Sequence, residues 1–120
     1  GLPDERMSVI VMDVPPTSLA YDNGSWAKTK HEWHQRGLSD DPDAEVTYER
    51  RTIQVDGNAA YYYAFTSAGT WHEAAWDVYV EHGGIVLWLR VDYAGPRESP
   101  IPQNIVDLMI ESIRFTPEGA

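Results

Sequence analysis

The residues between Ala74 and Tyr93 carry a pattern that admits few folds: two apolar–polar alternations joined by Gly83-Gly84. Apolar side chains at every second position are typical of a strand with one buried face. A Gly-Gly pair supplies the positive φ angles that a two-residue hairpin loop requires. The sequence therefore predicts an antiparallel hairpin, and with it a sheet that has a defined core face.

The tight turn also predicts which residues of the two strands face each other. On the polar side, Asp77 should lie opposite Arg90 and Tyr79 opposite Trp88. Opposite charges and aromatic pairs at opposed positions both stabilise an antiparallel pairing. We expect the Asp77–Arg90 salt bridge to be exposed and to contribute less than about 1 kcal/mol. The apolar pairs should be Trp76–Val91, Val78–Leu89 and Val80–Leu87.

The first third of the chain predicts one strand and one helix. Residues 7–14 carry apolar side chains on both faces, which is typical of an interior strand covered on each side. Residues 25–36 predict a helix that ends at Gly37, because glycine readily adopts the left-handed conformation of a C-terminal cap. Trp26 and Trp33 share one face of this helix, so we expect both in the core.

A second hairpin is predicted around the turn sequence Asp56-Gly57-Asn58. Residues 45–56 and 59–66 read as its two strands. The apolar positions of the first strand change parity along its length. A bulge near Arg50-Arg51 would reconcile the two halves, so we predict one there.

The chain closes with an amphipathic helix over residues 103–113, behind which Phe115 should return to the core. No repeat or second domain is evident. The order of elements predicts a single α+β domain over residues 1–120: an antiparallel sheet of about five strands with two helices packed on it.

The composition argues against several classes of partner. Nineteen acidic and nine basic residues give a formal charge of -10, and a field of that sign repels nucleic-acid backbones and anionic lipid. Without cysteine, the chain can form neither disulfides nor thiolate metal sites. No apolar stretch is long enough to span a bilayer. We therefore expect no nucleic-acid partner and no membrane contact by this segment.

Three segments carry a more specific pattern: MSVIVMDVPP at residues 7–16, a hairpin of the form R-x-I-x-V-D-G at residues 51–57, and the closing helix IVDLMIESIRF at residues 105–115. Together with the element order, they resemble the PsbP-like superfamily, which includes bacterial lipoproteins of the LpqN and DcrB type. The resemblance implies a non-catalytic, extracytoplasmic domain that binds a protein or small ligand. It also implies membrane anchoring through an upstream segment.

Members of this superfamily usually begin with a hairpin that precedes the strand matched by residues 7–14, and these residues have no such hairpin before them. We therefore expect the sheet to have an unpaired edge or an uncovered apolar face. Such a surface recruits another chain. The expected result is a homodimer, formed by edge pairing or by exchange of an element.

The chain is rich in aromatic residues, with five tryptophans and seven tyrosines in 120 residues. The alternation along each strand predicts that three of them lie on the sheet face opposite the predicted core: Tyr62, Tyr79 and Trp88. Because aromatic side chains combine apolar area with a polar tip, these three residues are our candidate ligand-binding platform. The alternative is that a helix covers this face.

Two histidines, His31 and His34, lie three residues apart on the predicted first helix. They are candidate metal ligands, with His72 or His82 as a third ligand. Their spacing departs from the H-E-x-x-H pattern of zinc proteases, so a solvated polar helix face is the competing interpretation. A small metal-dependent enzyme that uses His31 and His34 is the alternative function.

Other patterns give weaker indications of chemistry. A short acidic loop is made of Asp40, Asp41, Asp43 and Glu45. It lacks the order of ligands found in EF-hand calcium loops. Ser67 and Ser99 lie in loops without the G-x-S-x-G sequence of a nucleophile elbow. For the preferred binding domain we therefore expect no catalytic residues, no metal and no cofactor.

Overall fold

In the computed structural model, residues 5–14, 26–38, 41 and 43–115 are described. They form five strands and two helices in the predicted order, so the α+β class is confirmed. The strands are β1 (Arg6–Val14), β2 (Glu45–Val55), β3 (Asn58–Ala68), β4 (His72–His82) and β5 (Ile85–Gly95). The helices are α1 (Trp26–Gln35) and α2 (Gln103–Glu111).

The five strands form one antiparallel sheet in the order β1-β5-β4-β3-β2. From β2 to β5 each strand pairs with the next one along the chain, whereas β1 pairs with β5. The two edges of the sheet are therefore β1 and β2. Helix α1 packs against β2, β3 and β4 on one face, the α1 face, and α2 packs on the other, the α2 face.

The β4–β5 hairpin has the predicted register. Asp77 lies opposite Arg90, and Tyr79 lies opposite Trp88. Both glycines of the Gly83-Gly84 turn have positive φ angles, of 58° and 81°. These angles are those of a two-residue turn whose twist matches the flanking strands.

Strand β2 pairs with β3 without interruption along its whole length, so the predicted bulge at Arg50-Arg51 is wrong. The change of parity arises because each face of the sheet has a core of its own. Val46 and Tyr48 pack on the α1 face. Ile53 and Val55 pack on the α2 face. One straight strand thus contributes to both cores, first to one and then to the other.

The larger core lies between α2 and the sheet. Val106 and Ile110 are buried, with Met109 and Ile113 packed beside them, as the amphipathic pattern predicts. The strands contribute Val55, Ala60, Tyr62, Ala74, Trp76, Val78, Val80, Leu89, Val91 and Tyr93.

Phe115 packs against this larger core, as predicted, but it is half-buried rather than fully buried. Its ring stacks on His82 with the two centroids 4.2 Å apart. Its backbone N–H donates to the Asp56 carboxylate at 2.9 Å. The segment after α2 is thereby attached to the β2–β3 and β4–β5 hairpins of the sheet.

Helix α1 ends as predicted at Gly37, which has a φ of 72°. The Leu38 N–H donates to the Trp33 carbonyl at 2.9 Å, the hydrogen bond that marks a Schellman cap. Trp33 is 47% exposed, so its predicted place in the core is wrong, while the side chain of Trp26 lies outside the described part of the structure. Among the α1 side chains that the structure describes, Ala27 is fully buried against the sheet.

Strand β1 is an edge strand, so the prediction that residues 7–14 are covered on each side is wrong. Its apolar side chains are exposed on both faces. The exposed fractions are 56% for Met7, 55% for Val9, 37% for Ile10, 61% for Val11 and 45% for Met12. Apolar residues at consecutive positions here indicate an uncovered surface and not an interior strand.

Candidate functional site

The structure separates the three aromatic residues of the predicted platform. Tyr79 and Trp88 lie on the α1 face with stacked rings, 5.8 Å between centroids. Tyr62 pairs with Val78 and lies on the α2 face, so the prediction that all three share a face is wrong. Tyr62 and Tyr79 are 1% and 0% exposed. The rings of these two tyrosines therefore belong to the two cores.

A buried carboxylate, Asp77, lies beneath the first turn of α1. It is 0% exposed, which contradicts the exposed salt bridge predicted for it. One carboxylate oxygen accepts the Ala27 N–H at 3.1 Å, and the other accepts the indole N–H of Trp88 at 3.1 Å. The first N–H groups of a helix have no intrahelical partner and carry partial positive charge. Asp77 therefore caps α1 from the centre of the sheet.

Tyr79, next to this cap, has a buried hydroxyl that forms no hydrogen bond within the described residues. Burial, and then the negative charge of Asp77, raise the pKa of Tyr79 far above its ordinary value of 10.0. The phenol therefore stays protonated at physiological pH. Such a group suits a packed core and not proton transfer.

The structure does not bring the four histidines together. His31 stacks on Tyr48, with 4.4 Å between ring centroids. His72 and His82 stand at opposite ends of β4. Among the residues that the structure describes, no group of three metal-ligating side chains is present, so neither histidine of β4 completes a site with His31 and His34 there.

The acidic loop organises a turn. The Asp41 carboxylate accepts the Thr70 N–H at 3.0 Å and thereby holds the connection between β3 and β4. Asp43 and Glu45 are exposed. Asp40 lies outside the described residues. The carboxylates that are described have structural or solvated positions.

The two edges of the sheet differ in charge. Exposed charged side chains line β2, and these are Glu45, Glu49, Arg50 and Arg51. Charges of this kind discourage the addition of another strand. In β1, by contrast, residues 7–12 are all uncharged and lie between Arg6 and Asp13. The β1 edge, defined as residues 6–14, therefore lacks the protection that β2 has.

On the α2 face, the β1 edge borders an apolar groove of about 330 Å³. Met7 and Val9 of β1 form one side, and Ile105 and Met109 of α2 form the other, with Val91 between them. Pro100, Ile101 and Pro102, which precede α2, also line the groove. Exposed apolar surface that continues from a strand into a groove is typical of an interaction site.

On the α1 face, the β1 edge borders a polar cleft instead. The Ser8 hydroxyl donates to the Asp92 carboxylate at 2.8 Å, and Arg90 pairs with the same carboxylate at 3.0 Å. Lys30 of α1 pairs with Glu73 at 3.6 Å across this cleft. The β1 edge therefore has one apolar side and one charged side.

Comparisons with known proteins do not place this chain in a family. No family model matches the chain, and no curated protein matches it. The chain is similar to a crystal structure of PA94, a Pseudomonas aeruginosa protein of unknown function described as a candidate regulator, with 14% identity and a TM-score of 0.47 over 93% of this chain and 85% of that one. A likeness of this extent carries no argument about function.

Within the described residues, neither helix combines the length and the apolar character needed to cross a membrane. The structure identifies the described residues as an α+β domain, an antiparallel five-stranded sheet with one helix on each face.

Proposed function

We propose that this chain is a non-catalytic binding or assembly domain of an exported bacterial protein or lipoprotein, and that the β1 edge is its contact surface. The observation that carries the proposal is the exposure of five large apolar side chains within residues 7–12 of an edge strand, a stretch that carries no charge. An extracytoplasmic location is supported by the resemblance to PsbP-like lipoproteins.

The occupant that we propose for the β1 edge is β1 of a second copy. Antiparallel pairing about a two-fold axis perpendicular to the sheet matches residues that lie on the same face. A pairing centred on Ile10 satisfies this condition and engages all nine residues of β1. It places Val9 of each copy opposite Val11 of the other, so that two of the most exposed valines cover each other.

Cross-linking through Ile10 tests this pairing directly. The chain has no cysteine, so Ile10→Cys introduces a single reporter thiol. Opposed residues in an antiparallel pair have Cα atoms about 4.5–5.5 Å apart, which a disulfide can bridge. Mild oxidation at physiological salt should yield a disulfide-linked dimer of Ile10→Cys. Thr52→Cys, exposed on the β2 edge, is the matched control and should remain monomeric; equal cross-linking of the two variants would contradict the pairing.

Salt should strengthen this dimer. Each copy carries a net charge of -10, while Arg6 and Asp13 cancel within the β1 edge itself. The Debye length falls from about 30 Å at 0.01 M salt to about 8 Å at 0.15 M, so added salt removes repulsion between the two bodies. Sedimentation should therefore show tighter association at the higher salt concentration.

Lysine substitutions on the two edge strands, compared by sedimentation, test whether the dimer forms through β1. Val9→Lys should weaken dimerisation by at least about tenfold, because a charged edge resists strand addition. Thr52→Lys adds the same charge on the β2 edge and should dimerise like the unaltered chain. A monomer at high protein concentration and physiological salt, for the unaltered chain, would refute the proposed assembly.

A further inference from the structure

A second groove lies on the α1 face, between α1 and the end of the sheet where β3 and β4 meet. Its volume is about 300 Å³. It is lined by Lys30, Trp33, His34, Leu38, Asp41, Phe65, Ser67, Trp71 and Glu73. This set, called the α1 groove here, mixes aromatic rings with carboxylates, which is the composition of many small-molecule sites.

Three aromatic residues shape the α1 groove. Phe65 is 3% exposed and supplies a fixed apolar surface. Trp33 is 47% exposed, so much of its indole faces the groove and solvent instead of the core. Trp71 is half-buried. The faces of aromatic rings carry negative electrostatic potential and attract cations.

The α1 groove already holds one ammonium group, that of Lys30. Its Nζ lies 5.7 Å from the centroid of the Trp33 ring and 3.6 Å from the Glu73 carboxylate. The combination of an indole face with a carboxylate is the arrangement that stabilises organic cations. The position of the Lys30 ammonium therefore marks where a ligand's positive charge would be stabilised.

The charges around the groove favour a cationic ligand. Two carboxylates, those of Asp41 and Glu73, accompany the single ammonium of Lys30. The whole chain carries a net charge of -10, and a field of that sign raises the local concentration of cations. Within the described residues, the enclosed Nδ1 of His34 has no hydrogen-bond partner, so it could engage a polar group of a ligand.

We propose that the α1 groove binds a small organic cation, a primary or quaternary ammonium compound, with its positive charge on the face of Trp33. The ligand competes with the side chain of Lys30 for this position. The site is separate from the β1 edge, and neither proposal depends on the other. A neutral sugar also stacks on aromatic rings, but it would gain nothing from the carboxylates of the groove as counter-charges.

Titration with choline chloride, followed by NMR of the tryptophan indole N–H groups at constant ionic strength, tests the site. Choline should shift the Trp33 and Trp71 signals with a dissociation constant in the millimolar range. Its uncharged isostere 3,3-dimethylbutanol should bind at least about fivefold more weakly, because it lacks the cation–π attraction. Glucose serves as the neutral saccharide and should also bind more weakly.

Two substitutions in the groove and one control outside it distinguish a ligand site from a purely structural arrangement. Trp33→Leu should weaken choline binding by about five- to tenfold, while Leu108→Ala, at an exposed apolar position of α2, should leave it unchanged. Lys30→Met keeps an unbranched side chain but removes the ammonium group that competes with the ligand. Choline should therefore bind several-fold more tightly. Unshifted indole signals, equal affinity for the uncharged isostere, or weaker binding by Lys30→Met would each overturn the proposal.

Discussion

Asp77→Ala should lower the free energy of unfolding by about 3–5 kcal/mol, the cost typical of breaking a buried charged interaction. The substitution leaves two donors without their acceptor, the buried Ala27 N–H and the partly buried Trp88 indole N–H, each now bonded at 3.1 Å. Hydrogen bonds to a charged group contribute about 1.5–3 kcal/mol each. Denaturant unfolding followed by circular dichroism measures the change.

Matched variants distinguish the cap from a general effect of losing an acid. Asp77→Asn retains one acceptor oxygen and should lose about half as much stability as Asp77→Ala. Glu49→Ala removes a carboxylate from an exposed ion pair with Arg51 and should cost less than about 1 kcal/mol. A loss below about 1 kcal/mol for Asp77→Ala would show that α1 does not depend on this cap.

Gly95→Ala should destabilise the protein by about 2–4 kcal/mol, although it adds only one methyl group. A Cβ atom at this buried position would lie 2.3 Å from the Tyr93 hydroxyl oxygen and 2.7 Å from the ring carbon that bears it. Tyr93 is 1% exposed, and its hydroxyl lies 2.9 Å from the Glu5 carboxylate and 3.0 Å from the Arg97 carbonyl. The ring cannot move aside without losing these contacts.

A double-mutant cycle checks this explanation. Tyr93→Phe removes the atom nearest to the added methyl group and should by itself cost about 1–2 kcal/mol. Because the clash is then smaller, Gly95→Ala combined with Tyr93→Phe should be less destabilising than the sum of the two single changes. Additive losses would mean that the methyl group is accommodated without a clash against the hydroxyl.

The sequence is most informative where pairing is local. The register of the β4–β5 hairpin follows from the two-residue Gly83-Gly84 turn, because so short a loop leaves a single alignment of the alternating pattern. The cap at Gly37 is local as well. The aromatic and carboxylate lining of the α1 groove is not evident in the sequence, because Trp33, Phe65 and Trp71 come from three separate elements.

The wrong predictions for Tyr62, β2 and β1 have a common physical origin. The alternation of apolar residues along one strand does not say which face of the sheet is buried. Tyr62 faces the α2 side because of the β3–β4 register, which the longer connection around Thr70 does not reveal. β2 changes parity because the sheet has two cores, and β1 carries apolar side chains on both faces although neither face is covered within the described residues. In each case the outcome depends on strand pairing or helix packing between different elements, which the parity of a single strand does not reveal.

The place of β1 in the sheet bears on how the chain folds. The pairings among β2 to β5 join neighbours in sequence, whereas Ser8 of β1 bonds to Asp92, 84 residues away. Closing a longer loop costs more entropy, and the exposed side chains of β1 offer little burial in return. We therefore expect β1 to join last and detach first, at a lower free-energy cost than unfolding of the β2–β5 meander. While it is detached, β5 becomes the open edge, so local opening and strand exchange between copies would proceed through one and the same state.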